Sequence, residues 1–278
     1  MKVSVIMGVY HEKNMVQVQR AVESILNQTW TDLEFLIFQD GYDERTSKLL
    51  QKLEKEDSRI LLMGENQNHG LAYALNRCIE VADGEYIVRM DADDIAHTER
   101  LRKQIQFLEK HKEYDFVGCN ARLIDKNGVW GERKMPLIPN KKDFLPYSPY
   151  VHPSVVFRSG VLKASGGYPE SEDTKRLEDY EFFMRLHAQG VRGYNLQECL
   201  LYYREDRRAY KKKKYRYRIL ECRVRYRGFQ KLQIHGIKKW IYIAKPLVVG
   251  LIPAWALEKA KMRKGKWELQ NGKKVKTV

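Results

Sequence analysis

The stretch EYIVRMDADDIAHTERL, residues 85–101, runs from a short apolar segment into a segment with helical spacing. Between the two it packs three aspartates, Asp91, Asp93 and Asp94, into four residues. Like charges this close repel one another, so the cluster calls for something positive. Alternate residues of an extended stretch point to the same side, so Asp91 and Asp93 present two carboxylates together. Hard oxygen donors of this kind make a partial site for Mg²⁺ or Mn²⁺, ions that complete their shell with water and substrate phosphates.

The same alternation of strand and helix signals extends back to residue 3. Strand-like runs are VSVIM (3–7), LEFLIF (33–38), RILLM (59–63) and EYIVRM (85–90). Between them Val18, Val22, Ile25 and Leu26, then Leu49, Leu50 and Leu53, then Leu71, Leu75 and Ile79 recur at helical spacing. Asp43 is placed to cap the second helix, and Thr98 to cap a fourth carrying Leu101, Ile105 and Leu108. The pattern predicts an α/β fold, with a mostly parallel sheet covered by helices on both faces. Ligands of such sheets sit beyond the carboxyl ends of the strands. Gly8-Val9-Tyr10, Asp40-Gly41 and Asp91-Ala92-Asp93 stand at three of those ends. Asp40-Gly41 alone is equally well read as a strand terminator.

The second half differs. Asn127-Gly128 separates two strand-like stretches and predicts a hairpin. Residues 136–153 hold Pro136, Pro139, Pro146, Pro149 and Pro153, an irregular stretch suited to cover a cleft. SVVF (154–157) is a strand, and RLEDYEFFMRLHAQG (176–190) a helix closed by Gly190. Glu178-Asp179 begins that helix. Acids are favoured in a first helical turn, and a carboxylate there is also suited to act as a general base. His152 is read either as a substrate contact or as a satisfied, partly buried histidine. Cys78, Cys119, Cys199 and Cys222 form no CxxC pair, which argues against a zinc ribbon or disulfide framework. Met1-Lys2 runs straight into a strand-like segment with no secretory leader pattern, so a cytoplasmic protein is expected.

The formal net charge is +15, unevenly spread. From Arg204 onward there are 24 Lys and Arg against 5 Asp and Glu, and the 203 residues before it hold 27 against 31. A mildly acidic body with a basic tail suggests attachment to an anionic surface.

VSVIMGVYHE, SILNQTWTDLEFLIFQDG, NHGLAYALNRCIEVADGEYIVRMDADDIAHTERLRKQIQFLE, HPSVVFRSGVLKASGGY and LEDYEFFMRL occur in an order that resembles the family 2 glycosyltransferases, above all bacterial members that build capsule, exopolysaccharide or O-antigen. The resemblance covers roughly residues 1 to 205. It implies a GT-A fold: a catalytic domain over 1–205, with a nucleotide-binding half (1–95) and an acceptor-binding half (96–205), then a basic helical C-terminal extension over 206–278. It implies an inverting, metal-dependent transfer from a nucleotide-sugar, expected to be a UDP-sugar, to a hydroxyl of a glycan or lipid-diphosphate-linked acceptor. Val9, Tyr10 and Glu12 would line the base pocket, and Asp40 would accept from the base imide. Asn68 and Arg77 would lie near the nucleotide, and Asp91 and Ala92 at the ribose or donor sugar. Asp93, with Asp91, would bind Mn²⁺ or Mg²⁺. Asp179 would be the catalytic base, with Glu178 beside it towards the acceptor, and His152 would stand on the acceptor side. The chain departs from many relatives at Gly8, where they have proline, and at His11, where they have asparagine. Where they have Tyr-Arg-x-His, it has Asp206 in the histidine position, a further carboxylate for the metal.

In the tail, Tyr215, Ile219, Cys222, Tyr226 and Phe229 recur at alternating spacings of four and three, predicting one apolar helix face among Lys and Arg. WIYIAKPLVVGLIPAWALEKA (240–260) is apolar but interrupted by Lys245, Pro246 and Pro253, so it suits an interfacial anchor better than a membrane span. Docking to the inner face of a membrane competes with packing back on the body, a homodimer contact and nucleic-acid binding. For the whole chain the alternatives are a sugar nucleotidyltransferase and a nucleic-acid-binding protein. The first normally carries a glycine-rich basic loop after the first strand, which MGVYHEKN is not. The second conflicts with the acidic body, so no nucleic acid is expected.

Overall fold

The structure, a computed structural model, describes residues 1–205, 215–253 and, beyond them, 256, 257, 259, 260 and 263. Asp206 and most of the expected tail beyond residue 253 lie outside the described residues.

The N-terminal half alternates as the pattern predicts: β1 (Val3–Val9), α1 (Met15–Leu26), β2 (Leu33–Asp40), α2 (Glu44–Glu56), β3 (Ile60–Glu65), α3 (Leu71–Val81) and β4 (Tyr86–Arg89). There follow β5 (Ile95–Ala96), α4 (Arg100–Lys110), β6 (Phe116–Asp125), β7 (Gly128–Arg133), β8 (Val156–Arg158), α5 (Ser159–Ala164), α6 (Glu178–Ala188), β9 (Gly193–Arg204), α7 (Tyr215–Lys231) and α8 (Ile237–Leu251). Among the described residues the strands form one sheet in the order β3-β2-β1-β4-β8-β6-β9-β5, with β7 added to β6. The first four strands are mutually parallel, so the ends of β1, β2 and β4 share one edge. β8 runs antiparallel between β4 and β6, and β9 runs parallel to β6.

Each face of the sheet has its own apolar layer. Val18, Val22, Leu50, Leu101 and Ile105 pack on one side. Leu75, Ile79, Phe182, Phe183 and Phe229 pack on the other. This two-sided burial explains why β1 reads as a near-continuous apolar run rather than an alternating one. Asp43 caps α2, its carboxylate accepting from Thr46 N at 3.1 Å. The hairpin joins β6 to β7 with Gly128 at φ +104°, a backbone conformation that favours glycine. Gly190, at φ +84°, ends α6.

Three expectations differ from what is observed. Thr98 does not cap α4: Glu99 occupies the cap position, without a side-chain cap bond. β4 stops at Arg89, and Asp91–Asp94 lie in a turn rather than an extended stretch. The turn lets Asp94 face inward, where its Oδ1 accepts from Arg204 N at 2.7 Å. Finally, α7 does not bury the face through Tyr215, Ile219 and Tyr226, which stay exposed. Of that face it buries Phe229, together with Val224, Arg225 and Gly228 from beside it. Arg225 can be inside because Glu221 pairs with it at 2.9 Å, it donates to Leu145 O at 2.6 Å, and it lies 5.2 Å from the Tyr180 ring centre. Gly228 lets α7 approach α6: a Cβ there would stand 2.3 Å from Met184 Sδ.

Candidate active site

A cleft of about 830 Å³ opens at the strand-end edge. Arg89 and Asp91 line it beyond β4, Glu178 and Asp179 at the start of α6, and His152 from the proline-rich segment. The cleft therefore brings together Asp91, His152, Glu178 and Asp179, which are far apart in sequence.

Arg89 is 1% exposed and forms an ion pair with Asp91 Oδ1. Burial disfavours its charge, but Asp91 opposes that effect and Arg89 is held above its ordinary value. The guanidinium also acts on His152. Burial first, then the Arg89 charge, hold that imidazole well below its ordinary range, so it is neutral at pH 7. His152 Nε2 and the Tyr168 hydroxyl share a hydrogen bond of 2.9 Å. His152 is thus a satisfied histidine whose exposed edge still lines the cleft.

The acid cluster is larger than the sequence suggested. Burial, then the charges of Asp91 and Glu12, push Asp93 up to about 7. Burial and Asp91 also raise Glu12. Asp94 is fully buried and lies well above the usual carboxylate range, from burial first and then from Asp91 and Asp93. Arg204 Nε donates to Asp93 O at 2.9 Å. Four acids thus face two arginines, Arg89 and Arg204, in this corner. The donor set is hard oxygen and its charge is incompletely balanced, so Asp91 and Asp93 fit a divalent cation that draws its remaining ligands from water and substrate. Among the described residues no three His, Cys, Asp or Glu side chains are grouped as a ready-made metal site.

Glu178 and Asp179 occupy the first turn of α6. Glu178 accepts from Arg176 N at 2.8 Å, and Asp179 from Tyr180 N at 2.8 Å. Burial raises Glu178, with the Asp179 charge adding to it. Arg176, also in the cleft wall, has φ +67°. A non-glycine residue in that region is strained, which is common beside functional groups.

The residues expected around the nucleotide lie mostly outside this cleft. Val9 is buried at the end of β1, and Tyr10 is half exposed beside Gly41, where a Cβ would meet the Tyr10 ring at 3.2 Å. Asp40 is 2% exposed. Its carboxylate accepts from Asn68 Nδ2 at 2.8 Å, His69 N at 2.7 Å and Gly70 N at 2.7 Å. Tyr10, Asp40 and Asn68 are therefore brought together, with Asp40 turned towards the segment before α3. Ala92 is buried. Arg77 is engaged elsewhere: it pairs with Glu80 at 2.5 Å and lies 5.0 Å from the Tyr73 ring centre. Glu12 joins the acid cluster rather than the Tyr10 group. Arg89, Arg204 and Tyr168 escaped the sequence reading. Each left a trace there: Arg89 as a basic residue after the apolar YIV, Tyr168 at the end of HPSVVFRSGVLKASGGY, and Arg204 in the Tyr-Arg pair after the last strand.

The Glycosyl transferase family 2 model matches residues 4–164. EpsE of Bacillus subtilis (strain 168) is 36% identical over 255 residues, covering 91% of this chain and 90% of that protein. The chain belongs to glycosyltransferase family 2. Another relative of this family 2 chain is the UDP-Glc:alpha-D-GlcNAc-diphosphoundecaprenol beta-1,3-glucosyltransferase WfaP of Escherichia coli. WfaP is 30% identical over 204 residues, 73% of this chain and 76% of its own. Among solved structures, S. aureus TarS 1-349 in complex with UDP superposes with a TM-score of 0.64 at 19% identity, over 89% of this chain and 71% of that one. The mannosyltransferase PcManGT from Pyrobaculum calidifontis, in complex with GDP-Man and Mn²⁺, gives 0.62 at 18% identity, over 96% and 83%. The fold of this family 2 protein is accordingly of the GT-A type, and its activity is glycosyl transfer.

Proposed function

We propose that this enzyme moves a sugar from a UDP-sugar, with inversion, to a hydroxyl of a glycan or lipid-diphosphate-linked acceptor in bacterial surface polysaccharide synthesis. One observation carries the proposal: Asp91, at the end of a nucleotide-side strand, and Asp179, at the start of α6, line the same cleft. Donor and acceptor can then meet between two carboxylates. The names of WfaP, with its UDP-Glc donor and diphosphoundecaprenol-linked acceptor, and of the UDP complex of TarS support the donor and acceptor classes.

In this proposal Asp179 takes the proton of the acceptor hydroxyl as that oxygen attacks C1 from the face opposite the diphosphate. One inverting displacement results. Glu178, kept protonated more readily by burial, hydrogen-bonds the acceptor and leaves Asp179 as the base. His152, neutral and held by Tyr168, presents a ring edge to the acceptor without adding charge. Tyr10 and Asn68 border the base, with Asp40 holding Asn68 in place. Asp93 and Asp91 would hold the divalent ion, which when bound supplies charge neutralisation to the leaving diphosphate. Arg89 pairs with Asp91 and fixes its carboxylate in the cleft wall. The alternative of a nucleic-acid-binding tail on a degenerate domain is not favoured, since the chain belongs to a glycosyltransferase family.

The first test is calorimetric titration with UDP, with and without Mn²⁺, on the native chain and on Asp93→Ala. Metal-dependent binding that the substitution abolishes is the expected result. A screen of UDP-sugars with Asp179→Asn follows. That variant should lose about 10²- to 10⁴-fold in turnover while binding UDP normally. UDP binding that ignores both the metal and Asp93 would overturn the assignment.

A further inference from the structure

Helix α8 packs on α7 and turns Lys239, Pro246, Tyr242 and Ile243 inward. Its outer side carries Ile237, Ile241, Ala244, Val248 and Leu251, spaced alternately by four and three, which is one stripe of a helix. Ile237 is 74% exposed, Ile241 60%, Val248 60% and Leu251 76%. Trp240, 55% exposed, extends the stripe towards Tyr226 on α7, their ring centres 6.0 Å apart. Soluble surfaces seldom leave an apolar strip of this kind uncovered without a use for it.

The charges around the stripe indicate what covers it. IKKWIYIAKPLVVGL contains three lysines and no acid. Lys238 and Lys245 are exposed beside the apolar positions. On α7, Arg223 and Arg227 are exposed but pair with Asp173, so the positive charge beside the stripe comes from the α8 lysines, and the α7 acid, Glu221, is drawn inward by Arg225. A second copy meeting this face would set lysine against lysine. An anionic bilayer would meet both features at once, apolar side chains entering the interface and lysines resting among the headgroups. Fifteen residues extend only about 22 Å, and no helix among the described residues is long and apolar enough to cross a membrane. The helix is therefore suited to lie along the surface.

We infer that the outer face of α8, continued by Trp240 and Tyr226, is a docking surface for an anionic lipid bilayer. The surface is mechanically tied to the cleft. Arg225 of α7 donates to Leu145 O, and Lys245 of α8 to Pro146 O at 3.5 Å, immediately before Tyr147 and Ser148 in the cleft wall. Docking would bring that wall to the membrane. The inference does not depend on glycosyl transfer, and its test reads no activity.

The test is flotation of the full chain with vesicles of phosphatidylcholine alone and of phosphatidylcholine mixed with phosphatidylglycerol, at low and high salt. The native chain should float with the mixed vesicles, less so at high salt. Ile241→Glu combined with Val248→Glu should cut binding by more than about tenfold while leaving the melting temperature unchanged. Lys238→Glu, which leaves the apolar stripe intact, should weaken binding to mixed vesicles only. Equal flotation with both vesicle types, flotation of neither, or an unaffected double variant would overturn the inference. So would a native dimer that the double substitution converts to monomer without changing flotation, since a second copy would then be the occupant.

Discussion

Replacing Asp40 by asparagine tests whether this buried carboxylate acts by organising the segment before α3. Its Oδ1 accepts from His69 N, and its Oδ2 from Gly70 N and Asn68 Nδ2, all within 2.8 Å. Asparagine has one acceptor oxygen. Placed where Oδ2 stands, that oxygen keeps two of the three bonds but leaves the amide NH₂ facing His69 N–H, donor against donor. One bond to a charged acceptor is lost, worth about 1.5–3 kcal/mol, and two are weakened by loss of the charge. The sum is about 3 kcal/mol, because the site is too enclosed for water to repair it. In urea, with a slope of about 3 kcal/mol/M for a chain of this size, the unfolding midpoint should fall by about 1 M. A fall of less than about 0.3 M would refute the accounting. The ratio of UDP to GDP affinity provides a second readout. It should be unchanged if Asp40 acts only through Asn68–Gly70, and altered if Asp40 touches the base directly.

Arg225→Ala should cost about 1–3 kcal/mol in the same unfolding assay, because it leaves two loop carbonyls without their buried donor and Glu221 with only Arg218, at 3.6 Å. A loss below about 1 kcal/mol would mean that α7 is held by its apolar contacts alone. Burial lowers His187 to about 4, so the unfolded chain binds its proton first and unfolding is favoured as pH falls. Stability should therefore drop between the ordinary histidine value and about pH 4, and His187→Asn should flatten that slope in urea titrations at several pH values. Gly193→Ala should destabilise by about 1–3 kcal/mol or more, since its Cβ would stand 2.3 Å from the Phe116 ring and 2.4 Å from the Tyr150 hydroxyl. Normal thermal melting of that variant would show that the β6–β9 contact is more yielding than its geometry implies.

The sequence by itself determined the alternation of strands and helices, the shared edge of the parallel strands and the Asp43 cap. All of these rest on local periodicity or on interactions a few residues long. It also singled out Asp91, Asp179, Glu178 and His152, residues that converge on one cleft. What it could not supply were the partners. Arg204 meets Asp94 across 110 residues of chain, Tyr168 reaches His152, and Asp40 binds Gly70 rather than standing open at a strand end. The burial of Arg225 on α7 escaped the sequence for the same reason. Periodicity counts Arg225 as polar and therefore outside, whereas Glu221, the Leu145 carbonyl and the Tyr180 ring make its burial favourable. Which face of a helix is inside, and which carboxylate is free to bind a ligand, depends on groups distant in sequence. Only the tertiary structure brings those groups within hydrogen-bonding distance.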